Sequence, residues 1–236
     1  MLHEEDDGTE STTIAEFERQ IVETLFECYC RIAPLMTFDS LTSFPDAIQS
    51  YVSFVAFLIT SYEKEIILLM NSEKRPIVFL LLEHLVHCSI HADASTGQLA
   101  LKSIESFAEI LWRSKFNVDA EVLERVYSCE GRLMDWMLGK YLAANNSQDV
   151  ISDRFDAFAY ALLSLIRLAP ERFRAQLDAA MNSYPASASI INSFLSRLNF
   201  DLSSLDRSNR RLFNTCLREF SDELKSQMAF ISSQIA

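Results

Sequence analysis

The stretch that decides the fold is Pro76-Ile77-Val78-Phe79-Leu80-Leu81-Leu82-Glu83-His84-Leu85-Val86-His87-Cys88-Ser89-Ile90-His91. Apolar residues occupy nearly all sides of a helix built from this stretch, which is typical of a helix packed between neighbours. Proline suits the first helical turn because its missing N–H would have no partner inside the helix. We therefore predict a helix over residues 76–91 and expect it to be the most buried element.

The same helical pattern extends in both directions along the chain. A capping box at Thr13-Ile14-Ala15-Glu16 predicts one helix start, while Pro45 and Pro170 predict two others. Between turns, apolar residues recur at steps of three and four, so we predict roughly nine or ten helices of about 15 to 20 residues. Besides those already named, the expected helices cover residues 45–60, 95–114, 119–144, 150–168, 170–184, 187–199 and 206–234. We expect the first helix to end before Pro34 and a loop over residues 36–44, and a break of the last helix near Ser221 is left open.

Composition excludes several other classes of protein. With 4 Gly, 5 Pro and 49% hydrophobic residues, the chain can bury a large core, and alternating β-branched residues are missing over almost its whole length. No apolar run reaches the roughly 20 residues that a membrane span needs. Residues 1–12 are acidic and polar, unlike a secretory signal, and we expect them to form a disordered tail of a protein that stays inside the cell.

The spacing of the helices favours an all-α repeat architecture. Helical hairpins of roughly 35 to 50 residues have the period of HEAT and armadillo repeats. We therefore expect residues 13–236 to form a right-handed α-solenoid of about four to five HEAT-like hairpins. A compact helical bundle is the alternative, because the repeats share few letters.

Cysteine and histidine positions do not favour a metal or redox site. The 5 cysteines are scattered through helical pattern, and Cys28 and Cys30 would point in opposite directions on a helix. His84, His87, Cys88 and His91 lie on one helical face, but His84 and His91 are about 10.5 Å apart along it. We expect core thiols, a polar helix edge and neither a metal nor a cofactor.

Motifs for catalysis are also missing. The 4 glycines form no phosphate-binding loop. There is no G-x-S-x-G nucleophile elbow and no H-E-x-x-H pair, and the carboxylates lie mainly on polar helix faces. We expect a protein that is not an enzyme.

Charge suggests candidate partner-binding residues. The formal net charge is −12, which disfavours nucleic acid and favours basic protein partners. Second helices of HEAT hairpins line the inner surface, so acidic residues there are candidates. A basic cluster near the C-terminus, with Arg197 and Arg218 nearby, is a candidate for binding an acidic peptide or a phosphoserine. These residues are Glu105, Glu109, Asp153, Asp156, Arg207, Arg210 and Arg211. The alternative for both groups is a solvated helix face that serves solubility.

Three stretches resemble a known family. They are Phe44-Pro45-Asp46-Ala47-Ile48, the hairpin from Leu82 to Phe107, and Leu162 to Phe173 followed by Tyr184-Pro185 and the helix from Asn209 to Phe220. In order and spacing they resemble the C-terminal HEAT repeats of the importin-β superfamily of nuclear transport receptors, most closely the transportin-SR branch.

The resemblance implies a function as well as a fold. It implies a module that binds protein cargo, basic or Ser/Arg-rich segments included, and that resides in nucleus and cytoplasm. The family's Ran-binding N-terminal repeats have no counterpart here, so Ran binding is expected only where such repeats are present. No direct contact with nucleic acid or membrane is expected. A scaffold subunit that holds a constitutive complex together is the alternative function.

Overall fold

The structure is a computed structural model that describes residues 7–114, 120–142, 154–168, 170–181, 187–198 and 205–235. Over these ranges the chain is helical and contains no strand, which confirms the all-α prediction. The helices are α1 (Asp7–Ile32), α2 (Phe38–Ser43), α3 (Pro45–Ser61), α4 (Glu63–Met70), α5 (Arg75–His91), α6 (Ala94–Ser114), α7 (Ala120–Leu142), α8 (Phe155–Ile166), α9 (Pro170–Met181), α10 (Ser187–Arg197) and α11 (Arg207–Ile235).

The chain divides into two compact units, Met1–Thr37 and Phe38–Ala236. The first contains α1 and a 3₁₀ turn, Ala33–Leu35, which includes the Pro34 that was predicted to end the helix. Because α1 begins at Asp7, the capping box at residues 13–16 lies inside it. Residues 1–6 of the predicted acidic tail lie outside the described residues, and the division into a tail and a repeat domain stays a prediction.

In the second unit, helices contact one another in a regular order. Helix α3 packs on α6, α6 on α8, and α8 on α11. Helix α2 packs on α5, α5 on α7, and α7 on α9. The consecutive helices α5 and α6 also contact each other, as do α9 with α10 and α10 with α11. This order places α8 against both α6 and α11.

The core follows the apolar periodicity, with one correction. Leu81 and Leu85 of α5 are fully buried, as predicted. The prediction that α5 is the most buried helix is wrong, because nine of its residues are buried, whereas every residue of the shorter α8 except Asp156 and Tyr160 is buried. The reason is position, since α8 lies against α6, α7, α9 and α11.

Helix boundaries differ from the sequence pattern in a few places. The short helix α2 lies in residues 36–44, which the pattern indicated as a loop, and α4 is separated from α3 at Tyr62. Helix α11 continues through Ser221, whose hydroxyl donates to Leu217 O at 2.9 Å. None of the described helices is both long and apolar enough to cross a membrane.

Candidate functional site

The predicted acidic and basic residues meet where side chains of α6 and α11 reach each other. Arg210 Nη1 donates a hydrogen bond to Glu105 Oε1 in an ion pair that joins residues far apart in sequence. Arg210 Nη2 lies 4.0 Å from Glu109 Oε1. The Glu105 side chain is only 13% exposed, so this ion pair is partly shielded from solvent and less weakened by salt than a surface pair.

A second contact of the same kind joins α8 and α11. Asp156 Oδ1 accepts hydrogen bonds from Asn214 Nδ2 and from Arg218 Nη2, both at 2.7 Å. The hydrogen bond from Asn214, together with that from Arg218, lowers the pKa of the Asp156 carboxyl. At neutral pH the carboxylate is therefore held in its charged form.

Each arginine in this region also lies over an aromatic ring. The guanidinium carbon of Arg167 is 4.1 Å from the ring centre of Trp112, and Arg167 Nη1 is 3.4 Å from Glu109 Oε2. The corresponding distances are 5.5 Å from Arg210 to Tyr160 and 4.2 Å from Arg218 to Phe155. Such stacking orients a guanidinium and adds roughly 0.5 to 2 kcal/mol. We name these six charged residues the acid–arginine seam: Glu105, Glu109, Asp156, Arg167, Arg210 and Arg218.

The amphipathic pattern of α11 explains why the seam forms. Its apolar residues Phe213, Leu217, Phe220 and Leu224 recur at steps of three and four and are buried. Positions four apart lie above one another on a helix, so Arg210, Asn214 and Arg218 follow one edge of this apolar face. Because this apolar face is buried, the polar side chains along its edge reach residues of α6 and α8.

An open cleft of about 610 Å³ lies beside the seam. Ile59 and Ile110 supply apolar lining, and polar side chains surround it. Its charged lining residues are Glu63, Lys102, Glu105, Glu109, Arg113 and Arg210. Glu63 and Arg113 form an ion pair of 3.0 Å. The cleft therefore offers fixed charges of both signs next to apolar surface, a composition suited to a peptide segment rather than to a purely apolar ligand.

The structure brings together some of the candidate residues and separates others. Glu105, Glu109 and Arg210 form one cluster, and Asp156 belongs to the same seam through Arg218. Arg207 and Arg211 are exposed and lie outside it. Asp153 lies outside the described residues.

Sequence reasoning named Arg218 only as a neighbour of the basic cluster and missed Asn214 and Arg167. Arg218 and Asn214 had a usable signal, because they are spaced eight and four residues from Arg210 and so share its side of α11. Arg167 had none, since its contacts with Trp112 and Glu109 depend on how α8 packs on α6.

The histidines of α5 make contacts within the fold. His84 is buried and its Nδ1 is 2.7 Å from the Tyr51 hydroxyl. His87 Nε2 is 3.1 Å from Thr42 Oγ1, and its ring stacks on Phe38 with centres 4.9 Å apart. Burial, followed by the nearby His91, lowers the pKa of His87. Among the described residues no group of three histidine, cysteine or acidic side chains is placed to hold a metal ion.

The cysteines are all free thiols. Cys88 and Cys129 are buried, and burial raises the pKa of each to about 12. A thiol with so high a pKa is a poor nucleophile at neutral pH. These two cysteines therefore serve packing.

A comparison of the chain with protein-family models, with curated proteins and with solved structures gives no match.

Proposed function

We propose that this chain is a protein-binding helical module whose partner surface is the acid–arginine seam with its adjoining cleft. The observation that supports this most directly is the cleft of about 610 Å³, which has charged side chains of both signs beside Ile59 and Ile110. Charges fixed by neighbouring rings and carboxylates lose little freedom on binding, which favours recognition of a partner segment.

The fold proposed for this module is a solenoid of HEAT-like hairpins. The order of contacts supports it, because α3, α6, α8 and α11 form one series and α2, α5, α7 and α9 form another. In a solenoid each hairpin contacts mainly its neighbours, which gives this kind of order. A nuclear transport receptor of the importin-β superfamily is the proposed setting, on the resemblance of the three stretches described above.

The proposed partners are protein cargoes with basic or Ser/Arg-rich segments. Asp156 is the most accessible acid of the seam, with a side chain 65% exposed. Glu105 and Glu109 are contacted by Arg210 in the free chain. A cargo arginine would therefore have to displace Arg210 from these carboxylates. We expect moderate affinity that falls as the salt concentration rises.

Binding of a labelled Arg-Ser repeat peptide to the purified chain, followed by fluorescence anisotropy, tests this proposal. Glu105→Lys with Glu109→Lys should abolish binding, but it also places cations beside Arg210. The control is the exchange Glu105→Arg with Arg210→Glu, which keeps an ion pair at the same place. Peptide binding that survives in the Glu105→Lys, Glu109→Lys variant would refute the proposed surface. A loss that persists in the exchange variant would show that the carboxylate position itself contacts the peptide.

A scaffold subunit of a constitutive complex is the second candidate. Large apolar side chains are exposed on the second unit, among them Phe44, Phe57 and Leu68. Permanent interfaces are rich in apolar residues, so these side chains are the candidates for such a contact. Affinity capture from a cell extract distinguishes the two functions: one stoichiometric partner would support the scaffold, whereas several nuclear proteins with basic segments, released by salt, would support cargo binding.

A further inference from the structure

Two arginines at the start of α11 differ from most arginines in this chain. Arg207 and Arg211 are exposed, and neither has a carboxylate partner among the described residues. Most other arginines do have one. These are Arg19, Arg75, Arg113, Arg125, Arg167, Arg172, Arg174, Arg197, Arg210 and Arg218.

The position of these two arginines is unfavourable for the fold. Arg207 is the first residue of α11 and Arg211 lies one turn later. The N-terminus of a helix carries the positive end of the helix dipole, so cations there are repelled. Glu105 offsets this repulsion for Arg210. Asp206 offsets part of the repulsion by accepting a hydrogen bond from Asn209 N at 2.8 Å, but no described carboxylate forms an ion pair with Arg207 or Arg211.

Arg218 extends the pair into a longer surface. Positions 207, 211 and 218 lie within about 40° of one another around the helix and span about 16 Å along it. The ion pair of Arg218 with Asp156 is at the surface, with side chains 48% and 65% exposed. Arg218 Nε also donates to Asn214 Oδ1 at 2.8 Å and its guanidinium lies over Phe155, so Arg218 adds a fixed, half-exposed cation to this face. We name Arg207, Arg211 and Arg218 the arginine stripe.

We propose that the arginine stripe binds an acidic segment of a partner protein, one rich in Asp and Glu. Guanidinium groups bind carboxylates through paired hydrogen bonds. The net charge of −12 repels a long polyanion such as nucleic acid but affects a short acidic peptide less. This inference goes beyond the proposed function, because Arg207 and Arg211 lie outside the acid–arginine seam and the partner has the opposite charge.

The test measures binding of a fluorescein-labelled peptide of alternating Glu and Ser at low salt. Arg207→Glu with Arg211→Glu should weaken binding about tenfold or more, since two charge-assisted contacts are lost. The control is Lys64→Glu with Lys74→Glu, which changes the net charge equally at two exposed lysines outside the stripe. This control should retain most of the binding.

A second measurement separates binding from folding. Because glutamate near a helix start is favourable, the Arg207→Glu, Arg211→Glu variant should unfold at a slightly higher temperature than the original chain while binding less peptide. Equal weakening in the lysine control would overturn the proposal by showing that net charge alone governs binding. Absence of peptide binding to the original chain would overturn it as well, and so would a short single-stranded oligonucleotide that binds the stripe more tightly than the peptide.

Discussion

The guanidinium of Arg154 lies in the space that a side chain at Gly97 would need. A Cβ atom built on Gly97 would overlap Arg154 Nη1 and lie 3.0 Å from its guanidinium carbon. Arg154 is buried and its Nη1 donates to Ser89 O at 2.7 Å, while Nη2 donates to Ala92 O at 3.2 Å. The arginine thus satisfies carbonyls at the end of α5 that have no partner inside the helix.

Replacing Gly97 with alanine should therefore destabilise the protein by about 1 to 3 kcal/mol, because Arg154 must move and lose a buried hydrogen bond. Gly131→Ala is the matched control. Gly131 also lies within a helix, but its nearest atom would be Gln176 Nε2 at 4.0 Å. This substitution should stabilise by about 0.5 to 1 kcal/mol, as alanine favours helix. Urea unfolding measures both, and stabilisation by both substitutions would show that Arg154 does not limit position 97.

The relation between Gly97 and Arg154 shows where sequence reasoning ends. Helix positions were predictable, because Pro45, Pro76 and Pro170 fall in the first turn of α3, α5 and α9 and the apolar period marks their buried faces. The role of Gly97 was not predictable from the sequence, because Arg154, whose guanidinium occupies the space beside it, is far away along the chain.

For the candidate site, single residues were predictable from the sequence but their pairing was not. Charge and register indicated Glu105, Glu109 and Arg210 separately. Their pairing depends on α8 packing against both α6 and α11, which the period of a single helix does not encode. For the same reason Arg167, which lies between Trp112 and Glu109, was missed.

Substitutions on α5 test how the second unit is packed. Leu81 and Leu85 are fully buried, while the Glu83 side chain is 36% exposed and 3.7 Å from Arg125. Leu81→Asp or Leu85→Asp should cost several kcal/mol, because a buried charge without a partner is destabilising, whereas Glu83→Ala should cost less than about 1 kcal/mol. Thermal unfolding measures all three. Equal melting temperatures would contradict the burial of this helix.

The ion pair between Glu105 and Arg210 should contribute to stability. Arg210→Ala leaves the Glu105 carboxylate, which is mostly buried, without its cation, and should cost about 1 to 3 kcal/mol. Arg211→Ala is the control, because this neighbouring arginine is exposed and outside the seam. It should change the free energy of unfolding by less than about 0.5 kcal/mol. If both variants lost the same free energy of unfolding, the ion pair of Arg210 would contribute no more to stability than an exposed arginine does.

Glu130 of α7 should make stability depend on pH. It is fully buried, and neither of its carboxylate oxygens has a hydrogen-bond partner among the described residues. Burial raises the pKa of Glu130 from its ordinary value of 4.5 to about 8, although the charge of Arg172 acts in the opposite direction. Between these two values the folded protein holds a proton that the unfolded chain has released. Stability linked to this group is therefore fully present below pH 4.5 and is lost as pH rises through about 8.

Glu130→Gln should remove this dependence, because glutamine resembles the protonated acid in shape and has no charge to bury. At pH 9 the variant should be more stable than the original chain by a few kcal/mol, since each unit of pKa shift corresponds to about 1.4 kcal/mol. At pH 4.5 the two should be nearly equal. Glu73→Gln, on the exposed turn before α5, is the control and should shift stability little at either pH. Urea unfolding across this range measures the difference, and a constant gap between Glu130→Gln and the original chain would show that Glu130 does not titrate inside the core.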